Sequence, residues 1–107
     1  MLTLSTRELS LVKSSICATI DSLNRLGFKS SLKCKQLTLL YTFILKNIGF
    51  SGKVNVKMVM DCLALAADFY TTFENQEMRR ELGDIYTKLS NHFESSLLYE
   101  AFTVRVE

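Results

Sequence analysis

The sequence predicts an all-α fold, a compact bundle of four main helices to which short strands at the N- and C-termini could be added. The chain of 107 residues is 48% hydrophobic, which is enough for one core in a single domain spanning residues 1–107. It contains no proline and only four glycines, a composition that suits long uninterrupted helices. Apolar residues also recur every three or four positions in four separate stretches, as they do on one face of an amphipathic helix.

The first helix is predicted to begin after Ser5 and to run to about Leu26. Ser5 and Glu8 have the spacing of a capping box, in which each side chain binds the backbone N–H of the other residue. The apolar face that follows consists of Leu9, Val12, Ile16, Ile20 and Leu23. Gly27 then stands where a left-handed residue ends a helix, and Phe28 stands where an apolar side chain folds back on the last turn.

The second helix is predicted to start after a serine cap at Ser30 or Ser31. Its main apolar face consists of Leu37, Leu40, Tyr41, Ile44, Leu45 and Ile48. Leu39 and Phe43 form a second apolar pair on another side, so we expect this helix to pack against neighbours on two sides. The Gly-Phe pair at residues 49–50 repeats the end of the first helix and predicts a second glycine-capped end.

The third helix is predicted from about Asn55 to Thr72. It is apolar nearly all round, which is typical of the most buried element of a bundle. The fourth helix, from about Glu74 to Phe93, has one apolar face that consists of Met78, Leu82, Ile85, Leu89 and Phe93. Gly83 lies inside this helix, where glycine costs about 1 kcal/mol compared with alanine, and would permit close packing or a slight break.

Both chain ends alternate apolar and polar residues, which is the two-residue period of a half-buried strand. The N-terminal segment reads MLTLS and the C-terminal segment reads AFTVRVE. Three outcomes are open at this point. The two segments could pair as a small ribbon, the C-terminal one could add to the sheet of a partner, or it could be a frayed or helical tail.

The segment NIGFS, residues 47–51, has the glycine, the flanking apolar residues and the following serine of a helix-turn-helix turn. Two further features of that motif are missing here and in the earlier Gly-Phe copy. The residue four positions before the glycine should be small, but it is Leu45 in one copy and Leu23 in the other. The residue six positions after it should be apolar, but it is Asn55 or Lys33. The pattern therefore favours two ordinary helix ends.

The formal net charge of +2 is unevenly distributed along the chain. No acidic residue occurs from Ser22 to Met60, whereas nine acidic residues face four basic ones from Asp61 onward. The acid-free part carries a candidate basic surface, whose members are Arg25, Lys29, Lys33, Lys35, Lys46, Lys53 and Lys57. This surface could bind nucleic acid phosphates or an acidic protein, or it could simply be solvated. A single arginine and few aromatic residues suited to base stacking argue against nucleic acid.

Four carboxylates on the fourth helix are spaced by three and four residues and form an acidic stripe, which consists of Glu74, Glu77, Glu81 and Asp84. Such a stripe is most often a solvated face. The alternatives are a metal site and a surface that binds a basic surface. We hypothesise that the basic surface of one subunit meets the acidic stripe of another and steers self-association.

The sequence carries none of the familiar motifs for catalysis or metal binding. His92, the only histidine, has no glutamate three residues before it, and no HExxH, phosphate-binding glycine loop or nucleophile elbow is present. Cys17, Cys34 and Cys62 form no CxxC pair and are expected to be buried small hydrophobes rather than zinc ligands. We therefore expect no enzymatic activity, metal, cofactor or small-molecule substrate, no membrane segment, and a reducing cytoplasmic location.

The leading functional prediction is a non-enzymatic interaction protein, namely a regulator, inhibitor, adaptor or chaperone that binds another protein and also forms a homodimer. Surplus apolar residues favour it, and the candidate partner-binding residues are Leu39, Phe43, Phe28 and Phe50. The alternative is a nucleic-acid-binding transcriptional regulator that uses the basic segment 25–57. The lack of proline and the preference for lysine over arginine would also suit a gene of a phage or mobile element.

Overall fold

Four long helices account for most of the structure, a computed structural model that describes residues 2–47, 49–72, 75–95 and 103–106. The helices are α1 (Thr6–Arg25), α2 (Leu32–Asn47), α3 (Lys53–Thr72) and α4 (Gln76–Ser95). The described strands are β1 (Leu2–Leu4), β2 (Gly49–Ser51) and β3 (Thr103–Val106). The predicted all-α bundle is confirmed.

Helix α1 begins and ends as its sequence predicts. The Ser5 hydroxyl accepts the backbone N–H of Glu8 at 3.1 Å, and the Glu8 carboxylate accepts that of Ser5 at 2.9 Å. At the other end Gly27 has a φ of 85°, and the N–H of Phe28 donates to the carbonyl of Leu23 at 2.8 Å. This is the hydrogen bond of a Schellman motif, which needs a left-handed residue at the glycine position.

The second Gly-Phe pair behaves differently, and the prediction of a repeated helix end there is wrong. Gly49 lies in strand β2 and has no positive φ. Gly52 has the positive φ, 87°, and its carbonyl accepts the N–H of Val56 in the first turn of α3. Phe50 is only 1% exposed, so burial of its ring in the core fixes this short extended segment between two helices.

The strands form one three-stranded sheet in the order β1-β3-β2. β3 runs parallel to β1, where Leu2 pairs with Val104, and antiparallel to β2, where Phe50 pairs with the same residue. The two chain ends therefore pair with each other, which is the first of the three outcomes left open by the sequence. β3 lies between β1 and β2, so both of its edges are already paired within the chain. Neither edge is left to join the sheet of a partner.

Helix α3 is the central element, because it packs against α1 on one side and α4 on the other and also contacts β2. The core joins side chains from every helix, and Leu4 and Phe50 complete it from the strands. Its helical members are Leu9, Leu11, Val12, Ile16, Leu37, Leu40, Ile44, Val56, Val59, Cys62, Leu63, Leu82, Ile85 and Leu89. The predicted burial of α3 is incomplete, however, because Val54, Leu65 and Phe69 are exposed.

Helix α4 starts later than predicted, with Asn75 capping it through a hydrogen bond from the Met78 N–H to the Asn75 side chain at 3.2 Å. The helix continues through Gly83 without a break. A Cβ atom built at Gly83 would meet no other atom within 4 Å, so this glycine does not provide a close helix contact either.

Candidate protein-binding surface

Three large apolar side chains lie exposed on one face of α2: Leu32, Leu39 and Phe43. They are spaced by seven and four residues, so they fall within roughly 40° of one another around the helix axis. Leu32 is 71% exposed, Leu39 70% and Phe43 43%. The opposite face of the helix, with Leu37 and Ile44, is buried in the core. We call the exposed row the α2 stripe.

Two lysines border the α2 stripe. Lys35 and Lys46 are exposed and lie within about 60° of Leu39 around the helix axis. Helix α2 contains no acidic residue that could neutralise them locally. The hydroxyls of Thr38 and Thr42 donate to backbone carbonyls one turn earlier, at 2.8 and 3.0 Å. The α2 stripe is therefore an apolar row whose charged border is entirely positive.

A second exposed apolar row lies on α3 and consists of Val54, Leu65 and Phe69. We call it the α3 stripe. The ring of Phe69 packs edge-on against that of Tyr70, with centroids 5.3 Å apart. Asp61 and Asp68 are exposed on the border of this row, so the charged border at its C-terminal half is negative.

Helices α2 and α3 each pack against α1. On α2 the exposed Lys33 projects between the buried Leu40 and Ile44, roughly 120° from Leu39 around the helix axis. On α3 Cys62 is a buried core residue. Burial raises the pKa of the Cys62 thiol, while a hydrogen bond with Thr19 and the positive charge of Lys33 act in the opposite direction.

Helix α1 packs against α2 on the side away from the α2 stripe. The Tyr41 hydroxyl of α2 forms a hydrogen bond with Cys17 of α1, which raises the pKa of Tyr41. The Cys34 thiol, at the start of α2, donates to the Asn24 side chain at 3.5 Å. Both contacts hold α2 with its stripe turned away from α1.

The predicted partner-binding residues do not all lie on this surface. Leu39 and Phe43 belong to the α2 stripe, and Phe28 is 53% exposed in the turn before α2. Phe50 was wrongly assigned to a binding surface, because it is a core residue. Sequence reasoning missed Leu32 and the whole α3 stripe. The signal for the latter was the nearly continuous apolar character of α3, which was interpreted as burial.

The seven residues of the predicted basic surface are spread over several faces. Arg25 pairs with Asp21 one turn earlier, at 2.9 Å. Lys33 and Lys35 project roughly 160° apart around α2. Lys29 lies in the turn before α2, Lys46 near its end, and Lys53 and Lys57 in the first turns of α3. No single face of α2 collects its lysines.

The predicted acidic stripe is partly used to hold α4 against α1. The Arg7 guanidinium donates to the Glu81 carboxylate at 2.9 Å, and Lys88 lies 3.2 Å from Glu8. Glu77 and Asp84 are exposed on α4, whereas Glu74 lies outside the described residues. No group of three or more metal-ligating side chains is brought together within the described ranges.

A small depression of about 270 Å³ lies between α3 and α4. Apolar and small side chains form most of its wall, including Leu63, Ala64, Ala67 and Leu82. Gly83 also lines it, consistent with the open space beside that residue. Asp68, Arg79 and Tyr86 complete the wall.

No protein-family model matches the chain, and comparison with curated proteins and with solved structures gives no significant match. Across the part of the chain that the structure describes, no helix combines the length and apolar character needed to cross a membrane. The three cysteines are free thiols, with Cys34 and Cys62 buried and Cys17 exposed.

Proposed function

We propose that this chain is a non-enzymatic protein-protein interaction module, a small regulator, inhibitor, adaptor or chaperone that binds its partner through the α2 stripe. The observation that carries the proposal is the exposure of Leu32, Leu39 and Phe43 along one helix face. Isolated exposed apolar side chains are common, but a continuous row on a helix is typical of a protein interface.

The spacing of the row indicates how a partner would bind. Positions separated by seven and four residues are those that an amphipathic helix uses to enter an apolar groove or to pack against another helix. Lys35 and Lys46 would favour a partner with carboxylates beside its apolar surface and would accelerate the encounter. Free cysteines in and on the bundle are consistent with the expected reducing cytoplasm.

The distribution of charge gives less support to nucleic acid binding. A protein that follows a phosphate backbone needs its basic side chains on one continuous surface. Here Lys33 and Lys35 lie on different faces of α2, and Arg25 is paired with Asp21. We retain the transcriptional regulator as the alternative that the following experiment must separate.

The experiment compares Leu39→Gln with Leu45→Gln in affinity capture from the cell that produces the protein. Both positions lie on α2, and Leu45 is 53% exposed but lies roughly 120° away from Leu39 around the helix. We expect the wild type and Leu45→Gln to retain the same protein partner and Leu39→Gln to lose it. Equal capture by both variants would refute the proposal.

The nucleic acid alternative is measured in parallel. The purified chain is titrated with mixed duplex and with single-stranded nucleic acid over a salt series. Micromolar affinity that falls steeply with salt would favour the transcriptional regulator instead. We expect no such binding at low salt.

A further inference from the structure

We propose that the turn between α1 and α2, residues 26–32, binds the surface of a lipid bilayer that contains anionic lipids. This is a second binding surface, and it does not depend on the protein partner proposed above. It requires that apolar side chains be exposed in the turn, that basic side chains accompany them, and that the turn project from the bundle.

The turn exposes three large apolar side chains within a short segment. Leu26 is 70% exposed, and Phe28 and Leu32 are exposed as well. Leu32 also begins the α2 stripe, whereas Leu26 and Phe28 lie outside it. Exposed apolar side chains gathered in one place are typical of a contact with a protein or with a membrane.

Hydrogen bonds of the backbone fix the shape of the turn. The N–H of Phe28 donates to the carbonyl of Leu23 at 2.8 Å, and the N–H of Ser31 donates to the carbonyl of Phe28 at 3.0 Å. The Ser31 hydroxyl then accepts the N–H of Cys34 at 3.2 Å in the first turn of α2. These backbone donors therefore remain paired when the turn leaves water for the headgroup region of a bilayer.

Basic side chains accompany the apolar ones. Lys29, Lys33 and Lys35 are all exposed. The nearest carboxylate in the sequence is that of Asp21, and it is already paired with Arg25 at 2.9 Å. Lysines next to exposed leucine and phenylalanine are typical of segments that lie in a bilayer interface. There the apolar groups enter the boundary of the acyl chains, and the ammonium groups contact anionic headgroups.

The shape of the turn favours a bilayer over an acidic protein as the occupant. Every residue from Asn24 to Ser30 is exposed, so the turn projects into solvent. The depressions that the described residues form along α3 and α4 include no residue of the turn. A protein partner would need a cavity that matches this projecting tip, whereas a fluid interface adapts to its shape. Such a surface contact requires no membrane-spanning helix.

Co-sedimentation of the full-length protein with lipid vesicles tests the proposal. One set of vesicles contains phosphatidylcholine alone, and the other contains equal parts of phosphatidylcholine and phosphatidylserine. We expect binding to the anionic vesicles to be at least about tenfold tighter, because each lysine near an anionic surface adds to the attraction. A higher salt concentration should weaken this binding, since it screens the charges.

Single substitutions separate the apolar contribution from the electrostatic one. Leu26→Gln and Lys29→Glu should each weaken binding to the anionic vesicles by about tenfold. The matched controls are Leu45→Gln and Lys46→Glu, which change exposed residues of the same types near the other end of α2. These positions lie roughly 20 Å along α2 from the turn, beyond the screening length at physiological salt, so both controls should bind like the wild type. Circular dichroism shows whether the helices of each variant are intact.

Insertion of the turn is measured by fluorescence. The chain contains no tryptophan, so Phe28→Trp introduces a single probe into the turn. Its emission should shift to the blue when anionic vesicles are added, whereas that of Leu45→Trp should not. A wild type that binds neither set of vesicles or binds both equally, or equal shifts from the two probes, would overturn the proposal. A shift of the Phe28→Trp emission with polyglutamate but not with vesicles would also overturn it and would assign the turn to an acidic protein.

Discussion

Glu8 of α1 and Lys88 of α4 form an ion pair at 3.2 Å through the same carboxylate oxygen that accepts the backbone N–H of Ser5. One side chain therefore completes the cap of the first helix and ties that helix to the last one. Arg7 and Glu81 make a second connection about two turns earlier on α4. The N-terminus of α1 is held against α4 by charges, whereas its middle packs through the apolar core.

Substitution of Glu8 by Gln should destabilise the protein by about 1 kcal/mol at neutral pH, the usual contribution of such a cap. Partial burial opposes ionisation of Glu8, but the Ser5 N–H and Lys88 outweigh it and hold the pKa below its usual 4.5. The carboxylate is therefore stabilising above the unfolded-state pKa, and this contribution is lost as the pH falls through the folded-state pKa. Urea unfolding at pH 7 and at about pH 3 measures the effect.

The control for this substitution is Glu77→Gln, which removes an exposed carboxylate from the first turn of α4, the helix that carries Lys88. It should change stability by a few tenths of a kcal/mol, in line with a charge near a helix N-terminus. A Glu8→Gln protein that is as stable as the wild type at pH 7 would show that the Glu8 and Lys88 contact contributes nothing.

Substitution of Gly83 by Ala should stabilise the protein by about 0.5–1 kcal/mol. The position lies inside a continuous helix with open space around it, so alanine gains helix propensity without a clash. Thermal unfolding measures the gain as a higher Tm. The matched control is Gly27→Ala. Gly27 has equally open surroundings but a φ of 85°, so alanine at this position should lower the stability of the protein. The same sign of change at both positions would contradict this interpretation.

Replacement of phenylalanine by alanine should change the free energy of unfolding very differently at the two Gly-Phe pairs. Phe50→Ala removes a ring from the core and should cost about 3–5 kcal/mol. Phe28→Ala removes a ring that is 53% exposed and should cost about 1 kcal/mol or less. Chemical denaturation of both variants gives the comparison. Equal losses would mean that Phe50 is not a core residue.

The central strand β3 should not tolerate Val104→Pro. Val104 pairs with Leu2 on one side and with Phe50 on the other, so proline removes a backbone donor from the middle of the sheet. We expect a loss of about 3 kcal/mol or more and faster amide exchange in β1 and β2. Unchanged exchange in the proline variant would show that the sheet does not depend on β3.

The four helices and both ends of α1 could be predicted because their signals are local. The capping box at Ser5 and Glu8 and the left-handed Gly27 each require only neighbouring residues. The three-residue strand β2 could not be predicted, since three residues are too few for a periodic pattern. Its partner strand also lies about 50 residues later in the sequence, beyond any local rule.

The candidate surface could be predicted only in part, for a similar reason. Leu39 and Phe43 stood out because α2 has a separate buried face. On α3 the apolar residues continue around the helix, and only the positions of α1 and α4 decide which of them are covered. The exposure of Leu65 and Phe69 is thus a property of the assembled bundle rather than of the helix alone.

The central claim, that the α2 stripe binds a protein, is tested most directly by photocrosslinking in the producing cell. A photoreactive amino acid replaces Leu39 in one variant and Leu45 in another, which places the same probe on two faces of α2. We predict protein crosslinks from position 39 and few from position 45. Equal crosslinking from both positions, or crosslinks from position 39 to nucleic acid alone, would contradict the claim.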